Sequence, residues 1–295
     1  MDTRNVRDAI TRKVFFLAAV GVCLLLVPML AGLYYKARPI LVGRSAWSLL
    51  VSSEWQPMAG KFGMLPFMVG TVYVTLLAMV IAVPVSLLSA IFLSEYAPRG
   101  LRTVVLPLVD LLGGIPSVIY GVCGVLIIVP AVSRLSEKLG GYSTGYCLLS
   151  GALVLAVMVS PFIINVAREV LVSVPAGVRE ASLSLGATKW QTVKRVVLRQ
   201  ALPGVSAAVM LGLARALGET IAVLMVVGNV PMVPKSLFDP AYPLPALLAN
   251  NYGEMMSIPM YDSALLFSAL VLLVVVLVFN LLAKTALVLA TKTTR

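Results

Sequence analysis

The sequence predicts an all-α integral membrane protein with six transmembrane helices, and three observations carry that prediction. The 295 residues are 60% hydrophobic and only 12% charged, with a mean hydropathy of +1.01. Soluble domains are about 45–50% apolar and about 25% charged. Six apolar runs then reach the roughly 20 residues needed to cross a hydrocarbon core; they lie at about 14–35, 66–93, 103–133, 146–167, 201–228 and 263–290. Finally, fifteen of the 23 Lys and Arg residues fall in segments that share one side if the N-terminus is cytoplasmic, and seven fall on the other side. Such a bias sets orientation and places both termini in the cytoplasm. The first outer loop, with Lys36, Arg38, Arg44 and Lys61, runs against the trend.

Residues 1–13, with Arg4, Arg7, Arg12 and Lys13, read as a short cytoplasmic segment, and 14–295 as a single transmembrane domain. The first apolar run, Val14 to Tyr35, is longer than the 7–15 residues of a signal-peptide core and ends in Leu-Tyr-Tyr-Lys, so it reads as an uncleaved span. Tyr34, Tyr35, Trp47 and Trp55 stand where interfacial aromatics are expected. Pro84 in the second run and Ser160-Pro161 in the fourth predict kinks. The third run is interrupted by Gly113-Gly114-Ile115-Pro116, a break tolerated at membrane depth only where the backbone is buried in protein or faces water. Asp110 precedes that break and Ser117 follows it. A segment rich in proline, about 230–262, reads as an outer loop folded over the extracytoplasmic mouth.

Several function classes are excluded or weakened. The net charge of +11 does not signal nucleic-acid binding, because the basic residues sit in short loops between apolar runs. There is no His, which removes the commonest general base and most zinc sites. Cys23, Cys123 and Cys147 lie alone in or beside apolar runs and read as small buried apolar residues rather than a disulfide framework. No G-x-x-x-x-G-K-[ST] occurs, so any nucleotide is bound by another chain.

Two stretches carry the chemistry. From about 174 to 200 the chain is polar and basic. Pro175-Ala-Gly177 should end the fourth span, a short helix should hold Glu180, Ala181 and Ser182, and Gly186 should break it before Ala187. Thr188-Lys-Trp-Gln191 has the form of a capping box. The helix it opens is amphipathic, with Trp190, Val193 and Val197 on one side and Thr192, Arg195 and Arg199 on another. Its residues fit either an interfacial helix on lipid headgroups or a docking surface for a partner protein. The second stretch, Gly212-Leu-Ala-Arg215-Ala-Leu-Gly218-Glu219-Thr220, places two opposite charges four residues apart inside an apolar run. On one helix they share a face. A charge at the bilayer centre costs about 2.5–3.5 kcal/mol on the insertion scale, so neither should face lipid. Either they form a buried ion pair, or they line an aqueous route in which Arg215 offers a forked donor to oxyanions and Glu219 holds it when no anion is present. Ala214 and Gly218 form a small-residue pair that would admit a neighbouring helix.

Glu180-Ala181-Ser182, with Gly186 four residues on, resembles the EAA loop of ABC-importer permeases; Ser182 replaces the usual second Ala, and Arg199 stands where Pro is usual. A narrower resemblance extends from about Phe62 to Asn229. Phe62-Gly-Met-Leu-Pro66-Phe-Met-Val-Gly70-Thr, Ile115-Pro-Ser-Val-Ile-Tyr-Gly121, and Gly212 through Val223 followed by Val227-Gly-Asn229 are similar to the C-type permease subunit of phosphate-specific ABC importers. Asp110 stands where that family often has Glu. The resemblance implies a type I ABC-importer permease fold. It further implies a docking role for Glu180, Ala181, Ser182, Gly186, Ala187 and Trp190, and a substrate pathway including Arg215, Glu219, Thr220, Asp110 and Ser117. The implied partners are a related A-type permease, two ATP-binding subunits and an extracytoplasmic phosphate-binding protein, within a lipid bilayer and with no cofactor on this chain. A permease for molybdate, sulfate or a phosphonate is the alternative. A proton-coupled anion carrier or a lipid-modifying membrane enzyme fits the residues less well.

Overall fold

The computed structural model describes residues 3–254 and 258–292, so the first two and last three residues, and 255–257 of the expected outer loop, lie outside it. Among the described residues, six helical stretches are long and apolar enough to cross a membrane: Ile10–Gly43, Leu65–Tyr96, Ser117–Lys138, Leu148–Ser173, Lys189–Leu217 and Tyr261–Thr285.

The first consists of α1 (Thr3–Leu24) and α2 (Leu26–Gly43), joined through Leu25. It is more extended than the sequence implied, because the helix continues through Lys36, Arg38 and Pro39. A short α3 (Ala46–Val51) leads to a small antiparallel hairpin, β1 (Trp55–Gln56) with β2 (Lys61–Phe62), in which Trp55 lies opposite Phe62. Trp55 packs edge-on against Phe67 at 5.0 Å between ring centroids, so this residue anchors the segment to the bundle.

Helix α4 (Leu65–Ile91) runs through Pro84 and closes in a π-turn at Phe92–Tyr96. After α5 (Arg99–Gly114) the backbone turns extended at Ile115, and Pro116 precedes α6 (Ser117–Cys123), a π-turn at Gly124–Ile128, and α7 (Val129–Lys138). The apolar run 103–133 is therefore not one span. Proline disfavours the helical region for the residue before it, and two glycines weaken the helix ahead of it. The crossing begins only at Ser117.

Helix α8 (Leu148–Ser173) is the central post, with 61% of its most apolar window buried against 0% for the first span. It packs on α4 along most of its length. The Ser86 hydroxyl, on α4, donates to the Ser160 carbonyl beside Pro161. The two orphan amides at the start of α8, on Leu148 and Leu149, donate to the carbonyls of Asp239 and Leu237, so the proline-rich segment caps this helix.

Helices α9 (Ala176–Ser184) and α10 (Lys189–Thr192) follow, then a π-turn at Val193–Val197 and α11 (Leu198–Leu217). The amphipathic segment thus continues through the π-turn into α11 rather than forming a separate helix. The fifth apolar run also differs from expectation at its far end, since α11 stops at Leu217 and α12 (Ile221–Leu224) is a separate turn. Beyond it, α13 (Leu244–Asn251) and α14 (Tyr261–Lys292) complete the chain. The Leu244 amide donates to Thr71 Oγ1, and the Tyr242 hydroxyl accepts from Asn250 and Asn251, which seats the proline-rich segment on α4. Of the three cysteines only Cys147 is buried; Cys23 and Cys123 are exposed on this chain, against the expectation of buried positions.

Close packing of α11 on α8 uses Gly204, Ala208, Gly212 and Ala216, one residue per turn. A Cβ on Gly212 would stand 2.6 Å from Ile163 Cγ1, and one on Gly204 would press on Val170. The pair Ala214 and Gly218 is not part of this contact: a Cβ on Gly218 would meet only the Arg215 and Ala214 carbonyl oxygens, at 3.8 and 3.9 Å. We therefore expect Gly212→Leu to lower stability in detergent by at least about 1–3 kcal/mol through overpacking. Gly218→Ala should leave the thermal midpoint nearly unchanged, and equal effects would show the helix contact lies elsewhere.

Candidate functional site: the two broken spans and the basic loop

The breaks at Ile115–Pro116 and Gly218–Thr220 lie on neighbouring elements, because α6 packs on α12. Gly121 and Gly124 permit this approach. A Cβ on Gly121 would stand 2.5 Å from Met225 Sδ, and one on Gly124 2.6 Å from Val154 Cγ2 and 2.9 Å from Val226 Cγ1. Each break satisfies its own backbone. At the first, the Tyr120 hydroxyl donates to the Leu112 carbonyl at 2.7 Å and the Ile115 amide to the same carbonyl at 3.3 Å. At the second, the Gly218 and Glu219 amides donate to the carbonyls of Arg215 and Ala216, and the Thr220 hydroxyl to that of Gly218.

Arg215 occupies the last turn of α11, exposed on this chain. Its guanidinium carbon stands 5.6 Å from the centroid of the Phe162 ring. Phe162 sits near the middle of the 26-residue α8, so the cation is held at mid-span depth against an aromatic face. Glu219 is half-buried and does not pair with Arg215: the ion pairs among the described residues are Lys61–Glu54 and Arg179–Glu95. The expected shared helix face is lost because α11 ends two residues before Glu219. Its carboxylate instead accepts from the Ala222 amide at 3.4 Å, at the start of α12. It also lines a cavity of about 10 Å³ with Thr71, Thr75 and Pro243, close to the room one water needs. Thr220 is half-buried beside it.

Asp110 and Ser117 flank the first break. Asp110 lines an open concavity of about 680 Å³ with Pro107, Leu111, Gly114 and Pro116. Its Oδ1 accepts from Asn165 Nδ2 at 2.8 Å. Ser117, the first residue of α6, is half-buried. Sequence reasoning missed Asn165 and Phe162. An amide within an apolar span was a signal for the first, while nothing distinguished Phe162 from other apolar residues. Both lie on α8, three positions apart and so on one face. Chemically, the arrangement presents at mid-depth a guanidinium fork with no ion-pair partner among the described residues, while the Asp110 and Glu219 carboxylates are engaged by amide groups.

The basic loop has the geometry the sequence implied at its turns. Val174 is extended, Pro175 precedes α9, and Gly186 ends that helix with φ of +81°. The Gln191 amide donates to Thr188 Oγ1, and Gln191 Oε1 accepts from the Thr188 amide, so the capping box forms. The Ser182 and Thr192 hydroxyls lie 2.9 Å apart and join the two helices. Glu180 and Ala181 face outward and Ala187 is half-buried. One face of the second helix differs from expectation. Val193 and Val197 are buried, but Trp190 is 52% exposed, and Thr192 is buried instead. Leu183 and Leu185 are exposed as well, so large apolar side chains stand uncovered on a polar loop. Thr188→Ala should cost about 1 kcal/mol at the helix start. Faster hydrogen exchange at the Gln191 amide would register it, and unchanged exchange would show that the cap contributes nothing.

Known proteins resemble this chain in sequence and in fold. Residues 82–290 match the family described as binding-protein-dependent transport system inner membrane component. The phosphate transport system permease protein PstC of Xylella fastidiosa is 38% identical over 299 residues, covering 96% of this chain and 91% of that protein. A probable ABC transporter permease protein, YqgH of Bacillus subtilis, is 39% identical over 244 residues, covering 82% and 78%. A probable PstC of Methanocaldococcus jannaschii is 32% identical over 286 residues, covering 92% and 90%. Among solved structures, a bacterial alginate ABC transporter superposes with a TM-score of 0.67 at 18% identity, covering 97% of this chain and 96% of that one. The MetNI methionine ABC transporter in an inward-facing conformation gives 0.57 at 21% identity, covering 77% and 93%. The chain belongs to the binding-protein-dependent transport system inner membrane components, as a PstC-like ABC-importer permease with the type I fold.

Proposed function

We propose that this permease forms one membrane half of an ATP-driven importer of inorganic phosphate in a prokaryotic plasma membrane. The observation that carries the reading is Arg215: a guanidinium at mid-span, with no ion-pair partner among the described residues, next to a break in the helix that bears it. A planar fork of N–H donors matches two oxygens of a tetrahedral oxyanion. In low dielectric it attracts an anion far more strongly than in water. Relatives named as phosphate transport permeases supply the identity of the anion; the fork itself would also serve molybdate, sulfate or a phosphonate.

On this reading both termini and the loop 174–200 face the cytoplasm, and the segment 230–262 faces outward beneath an extracytoplasmic phosphate-binding protein. The exposed face bearing Arg215 meets a related A-type permease, so the route runs between the two. Two ATPase subunits bind ATP and magnesium, and receive the outward Glu180, the Ser182 and Gly186 turn, and the exposed Trp190. Closure of the ATPase pair moves the loop and alternates access. No cofactor or nucleic acid is bound by this chain. Thr220 and Ser117, at the two breaks, offer hydroxyls to the passing anion. Asp110 and Glu219, held by amide donors, keep the arginine free of a permanent counter-ion.

In the reconstituted complex, Arg215→Ala should abolish ATP-dependent uptake of labelled phosphate while the complex still assembles. Arg215→Lys keeps the charge but loses the fork. It should lower uptake about tenfold, the equivalent of one charge-assisted hydrogen bond of about 1.5 kcal/mol. Normal uptake by the alanine variant would sink the anion-site reading, and stronger uptake of labelled sulfate or molybdate than of phosphate would reassign the substrate.

A further inference from the structure

Arg179 stands immediately before Glu180, yet the two side chains go opposite ways: Glu180 faces outward and Arg179 turns back into the protein. Its Nη2 donates to Glu95 Oε1 at 2.8 Å, and its Nε lies 3.3 Å from both oxygens of that carboxylate. Nη2 also donates to the Leu171 carbonyl at 2.8 Å, and Nη1 donates to the Val174 carbonyl. The side chains are only 21% and 8% exposed. Glu95 belongs to the π-turn that ends the α4 span, and Leu171 and Val174 belong to the end of α8. One guanidinium therefore ties α9 to the ends of the two spans at the centre of the bundle. Lys189 Nζ lies 4.7 Å from the Tyr96 ring centroid and brings α10 to the same π-turn.

The two ties differ in kind. Helix α8 is joined to α9 through Val174 and Pro175, so covalent chain already links its motion to the loop. Helix α4 has no such link: 84 residues separate Glu95 from Arg179. Surface ion pairs yield easily, but a buried one cannot open without leaving an uncompensated charge. A displacement of α9 therefore draws the π-turn with it in preference to breaking the contact. A π-turn is a helical segment of altered hydrogen bonding, commonly placed where function needs local adjustment.

We propose that Arg179 and Glu95 form a latch that makes α4 move with the basic loop, so that a push received at Glu180 and Trp190 reaches both central spans together. The proposal rests on the transport reading above, in which a partner ATPase moves that loop. Arg179 and Glu95 act as positioning residues, touching neither nucleotide nor substrate.

The test uses the complete complex in proteoliposomes, with phosphate uptake and ATP hydrolysis measured together. Arg179→Lys keeps the charge but loses the multiple donors, and Glu95→Gln keeps a hydrogen-bond acceptor but loses the charge. Both variants should assemble and hydrolyse ATP, with phosphate moved per ATP falling about tenfold, within the range seen when coupling networks are perturbed. A purely structural contact would lower the yield of complex and leave that ratio alone. An unchanged ratio in either variant overturns the latch. So does failure of both to assemble, which would make the contact a folding element. Hydrogen exchange at Phe92–Tyr96, with and without ATP, reads the latch without reference to cargo. The expected result is a nucleotide-dependent change in the native complex that is lost in both variants. No change in the native complex, or a change that persists in the variants, overturns the latch. A native complex that shows the change but moves no phosphate would instead sink the phosphate reading.

Discussion

The hydrocarbon of a bilayer offers nothing to satisfy a broken backbone, and this constraint governs the architecture. Every interruption of a span must find its hydrogen bonds within the protein or in water the protein encloses. Both interruptions here do so at short range: Tyr120 reaches back across the first to Leu112, and Thr220 and Glu219 close the second. The glycines on α6 let the two interruptions lie on packed elements. The functional groups then follow from the breaks. Arg215 is presented at the end of a helix rather than along its flank, and Glu219 is turned away from it because the chain has already left the helix.

That separation changes how the charges are understood. A helix-spaced pair of opposite charges in an apolar run reads most simply as self-neutralising. The structure assigns each charge a different partner: Arg215 an aromatic face, Glu219 a backbone amide. A cation stabilised by a ring keeps its N–H donors for another molecule, whereas one clasped by a carboxylate spends them. The same distinction operates at Asp110, whose Asn165 partner satisfies one oxygen without cancelling the charge.

At the basic loop the division is between what faces out and what faces in. Two short helices, held to each other by Ser182 and Thr192, carry exposed apolar side chains. Their inward side is bound by Arg179 to the ends of α4 and α8. The loop's second helix is continuous with α11 through the π-turn.

Local chemistry was enough to establish the helical class, the six crossings, the helix stop at Gly186, the capping box at Thr188 and the interruption at Pro116. Each depends on residues within a turn or two: apolar run length, a left-handed glycine, a hydroxyl three residues from an amide, a ring without an N–H. Motif resemblance added the family and the residues worth watching. What remained hidden involves contacts between distant positions. The end of α11 at Leu217, two residues short of Glu219, turns that carboxylate to the Ala222 amide rather than to Arg215. The small residues that seat α11 on α8 are Gly204 and Gly212 rather than Gly218, because helix rotation decides which stripe faces the neighbour. The roles of Phe162, Asn165 and Glu95 arise from partners 53, 55 and 84 residues away in the chain. Packing of the helices, and not their formation, is what brings such residues together. An apolar sequence, in which nearly every face is greasy, carries little record of which face turns inward.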